Sequence, residues 1–100
     1  METELSKIVK ETVKMINGLK TEEIPEFVDS ALDIMVEKYV NGKEYVGFSM
    51  LLAYGGPNIE FTYHRGVAKV IAAWGSAKAE EYVDTKVAEE ILNYLNEMAT

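Results

Sequence analysis

The stretch that most constrains the fold is residues 45 to 74, YVGFSMLLAYGGPNIEFTYHRGVAKVIAAW, which reads as three antiparallel strands joined by two turns. Val46, Phe48, Met50 and Leu52 fall on alternate positions, and Ile59, Phe61 and Tyr63 alternate with Glu60, Thr62 and His64. A period of two is what a strand with one buried face requires. Gly55-Gly56-Pro57-Asn58 separates the first pair, because glycine takes positive φ without steric cost and proline lacks the N–H a ladder needs. Arg65-Gly66 turns the second pair. Such a sheet has one wet and one dry face, and the dry face needs a cover.

Three amphipathic segments can supply it. From Thr3 to about Asn17, Leu5, Ile8, Val9, Thr12, Ile16 and Leu19 recur at helical spacing, with Thr3 as N-cap and Gly18 as stop. Pro25 suits the first turn of a second helix running to about Tyr39, before Asn41-Gly42, with Phe27, Val28, Ala31, Leu32, Met35 and Tyr39 on its buried face. A third helix, capped by Asp84 or Thr85, buries Val87, Ala88, Ile91, Leu92, Leu95 and Met98. Glu80 to Val83 is a candidate fourth strand after the loop Gly75-Ser76-Ala77-Lys78. The expectation is a two-layer α+β fold of order ααβββ(β)α: an antiparallel meander of three strands, or four, with three helices on one face. The other face then shows Glu60, Thr62, His64 and Lys69 beside Ser49 and Ala53. One hundred residues without repeat or linker form a single domain, 1–100.

Composition narrows the function. With no cysteine, disulfides, thiolate metal sites and cysteine catalysis are excluded. A net charge of -7 repels phosphate backbones and anionic membranes, so neither direct nucleic-acid binding nor membrane binding is expected. METELSKIVKE lacks an apolar signal core, and the cytoplasm is the expected location. Gly47-Phe48-Ser49 starts like a nucleophile elbow, but Leu51 stands where the second glycine belongs. Gly55-Gly56 is followed by neither a P-loop lysine nor a helix start, and no histidines or carboxylates have zinc spacing. The chain is read as no enzyme, with no cofactor and no metal.

The feature that points to a partner is a run of acids. Glu22, Glu26, Asp29, Asp33 and Glu37 are spaced 4, 3, 4 and 4 residues, which on one continuous helix forms a narrow stripe opposite the apolar face. Like charges at i, i+4 cost about 0.2–0.5 kcal/mol per pair, and no cation is interleaved before Lys38. Adjacent carboxylates would stand about 6 Å apart, near the contour spacing of successive phosphates on a nucleic-acid strand. The stripe thus fits a basic groove that ordinarily holds nucleic acid; the alternative is a solvated acidic face. Glu60 and His64 on the open sheet face, and Trp74 at a strand end, complete the expected partner-binding set. Two further readings stand beside this: a small ligand-binding or enzymatic pocket near Tyr63, His64 and Trp74, and a structural homodimer whose seam lies on helix 3 or along strand three.

Leu51-Leu52-Ala53-Tyr54-Gly55-Gly56-Pro57, followed by a strand, a tight turn, a second strand and Trp74-Gly75, resembles a hairpin found in small uncharacterised bacteriophage and mobile-element proteins. The resemblance covers about a quarter of the chain. It implies an anti-defence context of the anti-CRISPR type, in which several small acidic proteins act as nucleic-acid mimics, and brings no catalytic residues. An αβββα order over residues 25 to 98 is also similar to a double-stranded-RNA-binding domain. That family grips phosphates with lysines at the start of its last helix, where this chain has Asp84, Lys86, Glu89 and Glu90. The expected function is therefore a non-enzymatic protein-binding module, an acidic inhibitor that occupies a nucleic-acid-binding groove of a host defence protein.

Overall fold

The computed structural model describes residues 3–99. Helix α1 (Glu4–Asn17) begins where the Thr3 hydroxyl accepts a hydrogen bond from the Ser6 amide at 3.1 Å and ends at Gly18, as its caps dictate. It buries Leu5, Val9, Val13 and Ile16. A 3₁₀ turn at Thr21–Glu23 leads into α2 (Ile24–Ser30), with Pro25 in the first turn.

The second helix is far shorter than expected. Ala31 turns to extended geometry (φ -66°, ψ 141°), and Asp33–Lys38 forms strand β1. Within β1, Ile34 and Val36 point one way and Asp33, Met35 and Glu37 the other, a period of two that the coarser helical pattern over residues 24 to 39 conceals. Two effects end the helix. Continuing it would set Asp29, Asp33 and Glu37 one turn apart on one side, whereas the strand separates them; and β1 gains an antiparallel ladder against β2 (Tyr45–Ala53), from Asp33 opposite Leu51 to Lys38 opposite Tyr45. Leu32, Met35 and Tyr39, expected inside, are exposed in consequence.

Strands β3 (Asn58–His64), β4 (Val67–Trp74) and β5 (Ala77–Tyr82) complete a five-stranded antiparallel meander in the order β1-β2-β3-β4-β5. The sheet thus has one strand that the sequence reading lacked, β1, while the candidate fourth strand at Glu80 to Val83 is β5, which starts earlier, at Ala77 inside the expected loop, and ends at Tyr82. Five strands also remove the likeness to the three-stranded RNA-binding order. Arg65 (φ 51°) and Gly66 (φ 80°) form the left-handed two-residue turn that matches strand twist. Helix α3 (Thr85–Ala99) follows, with the Asp84 carboxylate accepting from the Lys86 amide at 3.0 Å.

All three helices lie on one side. α1 packs on β4 and β5, α3 on β2 and β4, and α2 on α3. Beneath them Phe48 meets Phe61 edge to face at 5.2 Å, and Phe27 brings α2 against the same ring at 6.4 Å. Met50, Phe61, Val70, Ala72 and Ile91 are fully buried. Asn96 of α3 clips the start of β2: its carbonyl accepts from the Tyr45 amide at 2.6 Å and its amide donates to the Tyr45 carbonyl at 3.1 Å. Among the described residues no helix is long and apolar enough to cross a membrane.

Candidate interaction surface

Among the described residues no element covers the face of the sheet away from the helices. Register fixes its membership, because residues paired across antiparallel strands share a side. One row runs Asp33, Leu51, Glu60, Ile71, Glu80; the next runs Met35, Ser49, Thr62, Lys69, Tyr82; at one end stand Glu37, Gly47, His64 and Val67. Bulges in β2, at Val46 and Leu52, reverse the alternation at both ends of that strand. Ala53, expected on the open face, is thereby turned to the helix side.

Met35, Val67 and Tyr82 are exposed here and Leu51 and Ile71 half-buried, so apolar surface runs through the face between charges. The Ser49 hydroxyl donates to Glu60 at 3.1 Å. Lys69 and Lys78 both reach Glu80, at 3.5 and 4.0 Å. A shallow depression of about 430 Å³ opens beside Met35, Glu37, Ser49, Thr62 and His64.

The tightest polar contact on the face is between strands that are not neighbours. His64 Nδ1 lies 2.6 Å from Glu37 Oε1, with β2 between them. With the carboxylate as acceptor, Nδ1 is the donor. Gly47 makes this reach possible: a Cβ there would stand 2.5 Å from Glu37 Oε1 and 2.6 Å from the Tyr63 carbonyl oxygen. The pair closes over the glycine, which is buried. The position of Gly47 in an alternating strand was the sequence signal for such an approach.

The expected acidic stripe does not exist as a row. Glu22 lies in the 3₁₀ turn, Glu26 and Asp29 on α2, and Asp33 and Glu37 on β1, where Glu37 is engaged by His64. The structure instead gathers Asp33, Glu37, Glu60 and His64 on the open face, three acids and a histidine that the sequence had distributed between a helix and a strand. Trp74 is not with them. It stands 62% exposed at the helix-side rim, against Leu5, Ile8, Pro57 and Ala77 around a cavity of 500 Å³.

The pocket expected to join Tyr63, His64 and Trp74 is therefore not assembled. His64 pairs with Val67 at one end of β4 and Trp74 ends the strand, roughly 23 Å away at about 3.3 Å per residue. Tyr63 faces the helices, its hydroxyl 3.5 Å from Glu89 of α3; burial and that carboxylate together push its phenol above the ordinary value. Among the described residues no group of three or more His, Asp or Glu side chains is placed to hold a metal ion. Of the expected helix 3 seam, Leu95 is buried and Met98 exposed.

No protein-family model matches the chain, and no curated protein and no solved structure matches it. What the site does is argued from its own geometry.

Proposed function

We propose that this domain is a non-enzymatic protein-binding module whose contact is the open sheet face, with a partner that presents basic and apolar surface. The observation that carries the reading is the uncovered face itself, where Met35, Leu51, Val67, Ile71 and Tyr82 lie among Asp33, Glu37, Glu60 and Glu80. Apolar area interleaved with charge is the composition of a contact surface, in which exposed aromatic and methionine side chains anchor and charged ones orient. The net charge of -7 favours approach by a basic partner. The finer expectation, occupation of a nucleic-acid groove by a phosphate-like row, loses its support with the row: the five acids lie on three elements in two layers.

The test compares two sets of substitutions in partner capture from a lysate, each variant first checked for native circular dichroism and thermal unfolding. Thr62→Lys with Ile71→Lys alters the sheet face; Glu22→Lys, Glu26→Lys and Asp29→Lys alter the helix layer. A protein retained by the parent and the helix-layer variant but lost by the sheet-face variant, and eluted progressively by salt, is the expected result. Loss with the helix-layer variant alone, or with neither, overturns it.

A further inference from the structure

The two edges of the sheet differ. β5 carries Lys78, Glu80 and Glu81 and lies under α1, the usual protections of an exposed strand. β1 carries as many charges, Asp33, Glu37 and Lys38, but no helix lies along it as α1 does along β5. The helices pack over β2, β4 and β5, so Ile34 is only half-buried on the helix side and Val36 is 40% exposed. Of the twelve large apolar side chains exposed among the described residues, five (Leu32, Met35, Val36, Tyr39 and Val40) fall within residues 32–40. The bulge near this end inserts its extra residue in β2, which leaves β1 regular up to Lys38. A regular strand without a helix over it, with exposed apolar side chains and an outer row of backbone groups that pairs with no other described strand, is a template for another strand.

We infer that β1 pairs antiparallel with β1 of a second copy of this chain, joining two five-stranded sheets into one of ten strands. A head-to-tail β1–β5 contact would bring the β1 edge against the one that α1 covers, whereas an isologous contact matches the uncovered edge to itself. Charge then selects the register. About a two-fold axis normal to the sheet, only residues of like parity face each other, and two registers overlap five strand residues. Centred on Met35, the pairing sets Asp33 opposite Glu37 twice, a like-charge conflict. Centred on Val36, it sets Val36 against Val36, Ile34 against Lys38 and Met35 against Glu37, with no like charges opposed; beyond the strand, Tyr39 comes opposite Asp33. The second register is the one the structure favours.

The joined sheet also enlarges the open face. Five strands at about 4.8 Å and seven residues at about 3.3 Å project roughly 550 Å², below the roughly 800 Å² per partner of a standard interface. Two coplanar faces give about 1,100 Å² by the same spacings. The pairing stands on the edge geometry alone, whether or not the open face binds a partner.

Because the chain has no cysteine, a single one reports the register without interference. Val36→Cys treated with a short bis-maleimide is expected to give covalent dimer, and Thr62→Cys, in the middle of the open face, to give none. Light scattering of the parent at high concentration should return twice the chain mass. Val36→Lys and Val36→Glu should each return one chain mass, and their mixture should restore the doubled mass, since the two-fold sets position 36 against itself. A parent that stays monomeric, a doubled mass that survives in Val36→Lys alone, or cross-linking equal at positions 36 and 62 overturns the inference, independently of any result with a partner.

Discussion

Replacing Gly47 by alanine tests the contact on which the open face is built. In most strands an alanine is better than a glycine by about 0.5–1 kcal/mol, since glycine loses more freedom on folding. Here the new Cβ would stand 2.5 Å from Glu37 Oε1 and 2.6 Å from the Tyr63 carbonyl oxygen, against 3.4–4 Å for ordinary contact. The Glu37 carboxylate can swing away, at the loss of its bond to His64. The Tyr63 carbonyl belongs to the backbone of β3 and can yield only by separating β2 from β3. Overpacking of this kind costs about 1–3 kcal/mol, so the sign reverses and a net loss of about 1–2 kcal/mol is expected. At about 5 °C per kcal/mol for a chain of this size, the melting temperature falls by about 5–10 °C. Thermal unfolding followed by circular dichroism measures it. Glu37→Ala in the same chain should recover only a small part, because the backbone conflict remains. Gly18→Ala, where a Cβ meets nothing nearer than 3.4 Å, is the control and should leave the melting temperature near the parent's. A Gly47→Ala chain as stable as the parent would refute the close approach and, with it, the bridge between β1 and β3.

Two further outcomes follow from other contacts. Asn96→Ala removes both hydrogen bonds to Tyr45 and leaves a half-buried N–H and C=O without them, a loss of about 1–3 kcal/mol; Asn96→Asp, which can accept from the amide but not donate to the carbonyl, should fall between, in urea unfolding of the three chains. Tyr63 gives a pH signature. Its phenol is held above 10.0 by burial and by Glu89, so as pH rises past that value the unfolded chain releases its proton first and binds fewer protons than the folded one. Stability is then lost as pH rises, and the slope of unfolding free energy above pH 10 should be shallower in Tyr63→Phe than in the parent.

The residues themselves determined those elements whose signals are local. Thr3 and Gly18 bound α1 and Arg65-Gly66 turns β3 into β4, because a cap or a turn needs only its own neighbours. Phe48, Met50, Phe61 and Tyr63 are buried as their alternation requires. What tertiary structure decided is the state of residues 31 to 39, where Leu32, Met35 and Tyr39 satisfy a helical period and Ile34 and Val36 a strand period. The local repulsion among Asp29, Asp33 and Glu37 on a helix is only about 0.2–0.5 kcal/mol per pair, and the choice fell to the ladder that β2 offers, a partner many residues away. That one choice dispersed the acids expected in a row, exposed Met35 and Tyr39, and created the edge at β1. The alternation of β2 failed at its ends for a related reason: the bulges at Val46 and Leu52 belong to its pairing with β1 and with β3, which the residues of β2 alone do not show. His64 and Glu37 were each visible in the sequence, but their meeting across Gly47 depends on three strands lying side by side, a relation that spacing along one chain does not contain.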